Sequence, residues 1–287
     1  MRILIAALLF LPFTILAHSG GQDNNGGHLN RTTGEYHCHS ETCDPPSELP
    51  SDDSLDWPDG DIAASATTIA GSWGTAKKWS KNIVYQGRDK TFYCGCTYSA
   101  SQNKDGVDLS SCDYEMNGVL SYHARADDLE QEHVVPASLM PARQFACWNG
   151  DGLPKCSKGS RSCCERYDLN ARAMIFDLHN IVPSVGQVNA LRSNKRYGEI
   201  AGEDLKLACD FEWTKAVAEP PLSKRGEVAR IWLYMHSQHG LVLQDDELEM
   251  YMQWSLQDKP DAWEIERDKR IAAKQGNNNP YVQLYQQ

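Results

Sequence analysis

The stretch QEHVVPAS, residues 131–138, sets an acid beside a histidine, then a β-branched run and a proline. Glu132 and His133 are both side-chain types that bind metals or move protons. On a regular strand, however, adjacent side chains leave on opposite faces. A site shared by the two requires the strand to be irregular or to end there. Pro136, which donates no hydrogen bond, fits a strand over 132–136 giving way to a loop.

Downstream, FDLHNIVPSVGQVNALRSN (176–194) holds Asn180 and Asn189, nine residues apart, with Pro183 between them. Pro183 and Ser184 read as the start of a helix, which puts Asn189 in its second turn. Asparagine prefers caps to helix interiors. A neutral oxygen aimed at a hard cation is one reason to place it there; an exposed polar face is the other. A carboxylate and an amide oxygen bind Mg²⁺ weakly and leave several waters, as when a phosphate completes the shell. An imidazole beside them can take a proton from water, while the cation steadies charge on a leaving oxygen. The combination suits hydrolysis of a nucleic-acid backbone.

From about Phe92 onward the chain resembles the bacterial endonuclease I family, exported nucleases of the ββα-metal (His-Me finger) superfamily. The matching stretches are FYCGC (92–96), EHVVPA (132–137), CW (147–148), DLHNIVPSVGQVN (177–189), RGEVAR (225–230) and QGNNNPYVQ (275–283). The resemblance implies an α+β, ββα-metal fold with a β-hairpin and helix gripping the metal. It implies that Glu132 and Asn189 ligate one Mg²⁺, with Mn²⁺ or Ca²⁺ as substitutes, and that His133 is the general base. Asn180 is then a structural helper of the site, with contact to substrate as a second role. The substrate is DNA, with RNA as a second candidate, cut with little sequence preference to leave 5′-phosphate ends. Family members place an arginine in the loop after CW to hold the cleaved phosphate, but here the loop reads NGDGLPKC (149–156). Lys155 or Arg192 is the expected substitute.

The start, MRILIAALLFLPFTILAHSGG, reads as a secretory signal: Arg2 is basic, Ile3 to Ala17 is apolar, and the run is short for a membrane span. Cleavage after Ala17 and a periplasmic or extracellular protein, with no stable membrane association and monomeric, are the expectations. Export makes the ten cysteines informative. Disulfides fit an oxidising compartment, whereas CGC (94–96) and CC (163–164) lack the gaps of a zinc hairpin.

Residues 18–45 are rich in Gly, Asn and His and poor in aliphatics, so they build no hydrophobic core alone. They resemble the short YHCH-type segments that follow bacterial signal peptides, without the cysteine such segments carry near the GGH position (26–28). Two readings stay open: a Zn²⁺ or Cu²⁺ site made from His18, His28, His37 and His39, or a polar arm with one small disulfide loop. Residues 46–70 continue as an acidic, Pro-rich linker, and 71–287 form one domain. From Glu41 to Asp61 there are eight acids and no base, whereas from Arg143 to Arg196 nine bases face four acids. A net charge of −11 excludes a protein that grips nucleic acid over its whole surface; the basic stretch suits a local anionic substrate or an ordinary solvated face.

NIVYQG (82–87) and TFYCGC (91–96) read as strands. Three helices follow at 226–239, 245–258 and from a DAWE capping box at Asp261 to Gly276. Two rival functions come from other classes. One is an inactive metal- or envelope-binding protein working through its His-rich arm. The other is a different metal hydrolase, for which no HExxH is present.

Overall fold

The computed structural model describes residues 65–99, 106–112, 127–150, 156–202 and 209–286, and the backbone of two short strands within 27–38. Those strands, β1 (Gly27–Asn30) and β2 (Glu35–Cys38), pair antiparallel with His28 opposite His37. The signal segment, His18, His39 and most of the linker lie outside the described residues.

The main domain begins with α1 (Trp73–Trp79), capped by Ser72, whose hydroxyl accepts from the Thr75 amide. The chain then continues as a π-turn over Ser80–Val84, where a strand was expected. Propagation from a capped helix, with Ser80, Val84 and Tyr85 buried, outweighs the β-branched local preference. TFYCGC is likewise a turn, because Gly95 takes a φ of +65° that reverses the chain. The strand there is the short β3 (Thr97–Tyr98), paired with β4 (Val107–Asp108).

The site is built by β5 (Leu129–His133), α2 (Ala146–Asn149), α3 (Arg161–Tyr167), α4 (Leu169–Ile175), β6 (Ile181–Val185) and α5 (Gly186–Arg192). β5 and β6 pair antiparallel, with Glu132 opposite Val182 and His133 opposite Ile181. Pro183 and Ser184 therefore belong to a strand, and the helix starts at Gly186, three residues later than expected. Pairing with β5 holds them extended, and Gly186 is the first residue free to turn, its amide donating to the Asp128 carbonyl at 2.9 Å.

A small sheet of β7 (Arg196–Tyr197), β8 (Glu212–Trp213) and β9 (Val217–Glu219) follows, in the order β7-β9-β8. The helical C-terminal half is α6 (Leu222–His239), α7 (Asp245–Gln257), α8 (Ala262–Gln275) and α9 (Pro280–Gln283). Val228, Ile231, Trp232 and Met235 of α6 are buried, as their i, i+3, i+4, i+7 spacing requires. Gly240 and Gly276 end α6 and α8 in left-handed geometry. Half of the expected capping box forms: the Asp261 carboxylate accepts from the Glu264 amide at 2.7 Å. The Glu264 carboxylate turns instead to buried Arg230. Gly226 is the point of closest approach, because a Cβ there would overlap the Asp258 carbonyl.

Disulfides join Cys94–Cys209, Cys96–Cys112, Cys147–Cys164 and Cys156–Cys163, and no described cysteine is free. The adjacent Cys163 and Cys164 thus tie α3 in two directions, to Cys156 and to α2.

Candidate active site

β5, β6 and α5 form a strand–strand–helix unit in which two spacings match. Residues two apart on a strand share a face, as do residues three apart on a helix. Glu130 and Glu132 of β5 therefore meet Asn189 and Arg192 of α5 as two rungs. Asn189 Nδ2 donates to Glu130 Oε2 at 2.6 Å, and Arg192 Nη1 lies 3.5 Å from Glu132 Oε1.

Glu132 is buried. Its Oε1 accepts from the Tyr93 hydroxyl at 3.1 Å, while its buried Oε2 has no partner. Burial pushes the carboxyl above its usual range, against the opposing pull of Arg192 and of the Ser184 and Tyr93 hydroxyls. Burial also drives the Tyr93 hydroxyl up, so at neutral pH it remains a neutral donor. An orphaned carboxylate oxygen in a buried site is a place for a cation. Asn189, half-buried one helical turn from Arg192, gives its amide nitrogen to Glu130, which leaves a neutral oxygen to offer. An oxygen-only pair of this kind fits a hard, partly hydrated divalent ion. Among the described residues no three His, Cys, Asp or Glu side chains form a metal cage; a site of one carboxylate, one amide and waters needs none.

His133 ends β5 and is 8% exposed. Its ring stacks on Trp73, with centroids 4.5 Å apart and planes 16° apart. Nε2 lies 2.6 Å from the Ile175 carbonyl. A carbonyl only accepts, so Nε2 carries the proton and Nδ1 presents its lone pair. Burial, aided by the Arg161 charge, lowers the imidazole pKa to about 3, so the ring is neutral across ordinary pH. The pairing of β5 stays regular up to His133, and the two side chains meet different neighbours: Tyr93 and Arg192 for Glu132, Trp73 and Ile175 for His133. The strand ends at His133, three residues earlier than Pro136, and because its pairing is regular to that point the two side chains leave on opposite faces.

Three other residues were expected at the site. Asn180 is fully buried: its Oδ1 accepts from the Val135 amide at 2.6 Å and its Nδ2 donates to the Val135 carbonyl at 3.0 Å. Both ends of the amide are used, so it clamps the backbone after His133 and does not reach substrate. Arg192 is 1% exposed and donates to the carbonyls of His133, at 2.7 Å, and Val134. It braces the turn beneath the site and offers no fork to a phosphate. Lys155 lies outside the described residues.

Arg161 is the cation that sequence reasoning passed over. Its guanidinium lies 5.4 Å from the centroid of the Trp73 ring, the ring that carries His133. The side chain is 36% exposed, and its Nε donates to Glu165 at 2.7 Å. Its sequence signal was proximity to the cysteine pair: Arg161 precedes Cys164 by three residues, and the Cys147–Cys164 bond carries α3 to the site. Trp73, Tyr93 and Glu130 gave no comparable signal. On α3's other flank a cleft of about 290 Å³ is lined by Lys158, Arg166, Tyr167, Ser160 and Ser162. Of the basic stretch, Arg161 and Arg166 lie on α3 and Lys158 just before it, whereas Arg192 is buried and Arg196 is paired with Glu247.

The sequence profile of the Endonuclease I family matches residues 74–284. This chain belongs to the endonuclease I family. It is similar to an extracellular deoxyribonuclease of Aeromonas hydrophila, 36% identical over 213 residues, which are 72% of this chain and 86% of that protein. A periplasmic deoxyribonuclease of the same species is 35% identical over 205 residues, 70% of this chain and 81% of the relative. Endonuclease-1 of Buchnera aphidicola (subsp. Acyrthosiphon pisum) is 32% identical over 202 residues, 69% and 76% of the two chains. Endonuclease I enzymes are generally metal-dependent. No described helix is long and apolar enough to cross a membrane.

Proposed function

We propose that this endonuclease I relative is an exported, metal-dependent enzyme that hydrolyses the phosphodiester backbone of DNA with little sequence preference, and RNA as a second substrate. The observation that carries the reading is the protonation pattern at His133. The Ile175 carbonyl takes the Nε2 hydrogen, so Nδ1 is set to receive a proton from water at the end of β5. As that proton leaves, the water oxygen attacks phosphorus and the bond to the 3′ oxygen breaks. The phosphate stays on the 5′ oxygen of the downstream fragment, and the departing 3′ oxygen takes a proton from solvent to become a hydroxyl. Glu132 and Asn189 hold the cation, Mg²⁺ with Mn²⁺ or Ca²⁺ as substitutes; when bound it supplies charge stabilisation at the leaving oxygen. Arg161, rooted beside His133, binds the scissile phosphate. Arg166 on the same helix and Lys158 in the segment just before it extend the basic surface along the nucleic-acid strand. Contacts of this kind go to phosphates and carry no sequence information.

The names of the relatives, extracellular and periplasmic deoxyribonucleases, support export and DNA as substrate; the signal cut after Ala17 and a monomeric state remain part of the same proposal. The test is a supercoiled plasmid, and an RNA, incubated with purified protein and Mg²⁺ or Mn²⁺, with and without EDTA. Nicking that vanishes with EDTA and in His133→Ala is expected. Intact plasmid with wild-type protein and either cation defeats the reading. Activity that survives deletion of residues 18–60 would place the work in the main domain and not in the His-rich arm.

A further inference from the structure

We propose that Glu130 is a positioning residue for the metal site: it takes the amide hydrogen of Asn189 and so turns that side chain's oxygen toward the cation. The inference rests on the reading that Glu132 and Asn189 hold the metal.

An asparagine amide has two ends of nearly equal shape and opposite polarity, and only the oxygen end ligates a hard cation. The backbone of α5 does not decide which end faces the site, because a rotation of half a turn about the last bond exchanges them. A carboxylate does decide it. An ionised carboxylate accepts and never donates, so the Asn189 atom 2.6 Å from Glu130 Oε2 is the nitrogen. The oxygen is then the end left for the ion. The register makes this selective: Glu130 and Glu132 share a face of β5, and each meets a different residue of α5. Glu132 keeps a buried oxygen without a partner, as a ligand would, whereas the Glu130 oxygen is occupied by the amide. The two carboxylates divide the work, one toward the cation and one toward the cation's other ligand.

Binding of Mn²⁺ to the full chain without nucleic acid, followed by electron paramagnetic resonance of the free ion, tests this without turnover. Glu130→Ala weakens Mn²⁺ binding by about 10–100-fold, the usual loss when the partner of a metal ligand is removed, with thermal stability unchanged. Glu130→Gln, whose own oxygen still accepts from Asn189, stays within about threefold of the original protein. Asn189→Asp supplies an oxygen in either orientation. In the native background it sets two carboxylates against each other and binds poorly; in the Glu130→Ala background it recovers binding. Glu130→Ala with unaltered affinity overturns the proposal, as does Glu130→Gln failing as badly as Glu130→Ala, which would mean that the charge and not the orientation matters. Should Glu132→Ala and Asn189→Ala also bind Mn²⁺ normally, the metal-site reading itself falls, a result distinct from failure at Glu130 alone.

Discussion

Arg192→Ala separates bracing from phosphate binding. The Arg192 fork donates to the His133 and Val134 carbonyls and lies 3.5 Å from the Glu132 carboxylate, while its guanidinium covers the Tyr197 ring at 4.9 Å. Truncation strands two buried carbonyls, each losing a charged hydrogen bond of about 1.5–3 kcal/mol. It also leaves Glu132 buried without its cation, a break that commonly costs about 3–5 kcal/mol. The terms share one side chain and do not add. Protonation of Glu132, whose pKa is already raised, limits the total. We expect a loss of about 3–5 kcal/mol, read by urea denaturation with disulfides intact, and a fall in Tm of roughly 10 °C. The same variant leaves the salt dependence of DNA binding in EDTA unchanged, whereas removal of a phosphate contact would lower that slope by about 0.9. A stability loss below about 1 kcal/mol, or a reduced slope with stability intact, refutes the bracing role.

Further outcomes follow from other parts of the fold. Arg161→Ala should reduce the salt slope by about 0.9 and cut nicking at least tenfold (roughly 1.4 kcal/mol) with little change in Tm, since Arg161 is partly exposed; an unaltered slope would remove it from the phosphate. Cys147→Ser with Cys164→Ser opens a bond of sequence separation 17, which in the chain-entropy view is worth about 3 kcal/mol. Nicking measured well below the new Tm should fall too, because that bond positions Arg161. Acid stability should be poor. Burial raises Asp177, but hydrogen bonds from His239 and Gln275 with the His239 charge overcome it and hold the carboxyl low. Burial lowers His179 despite Asp177 and Asp268. Both groups have depressed folded pKa values. Their contribution is therefore complete above about pH 6.5, is lost first through His179, and then through Asp177 below about pH 3.9. Denaturation midpoints that stay flat from pH 7 to pH 4 would contradict this.

Wherever local pattern and long-range packing agreed, the sequence was legible. The apolar period of 228–235, the Asp261 cap and the glycines at 240 and 276 fix three C-terminal helices through interactions within a few residues. The Glu132–His133 pair and Asn189 could be named because their side-chain chemistry is rare in such settings. What the sequence hid was each residue's partner. Nothing local tells Arg192 that it will face two carbonyls fifty-odd residues away, or Asn180 that both ends of its amide will close on Val135. The same holds for the false strands at 82–87 and 91–96, where helix propagation from α1 and the left-handed Gly95 overrode β propensity.

Sequence alone determined which groups could do acid–base and metal chemistry, since a side chain brings its titrating group and its ligand atoms wherever it lies. Tertiary structure decided which of them meet. The strand and helix spacings set Glu130 against Asn189 and Glu132 against Arg192, a backbone carbonyl fixed the His133 tautomer, and a disulfide carried Arg161 to the site. Hydrogen bonds and charges act over a few ångströms, and in this chain most of those ångströms separate residues tens of positions apart.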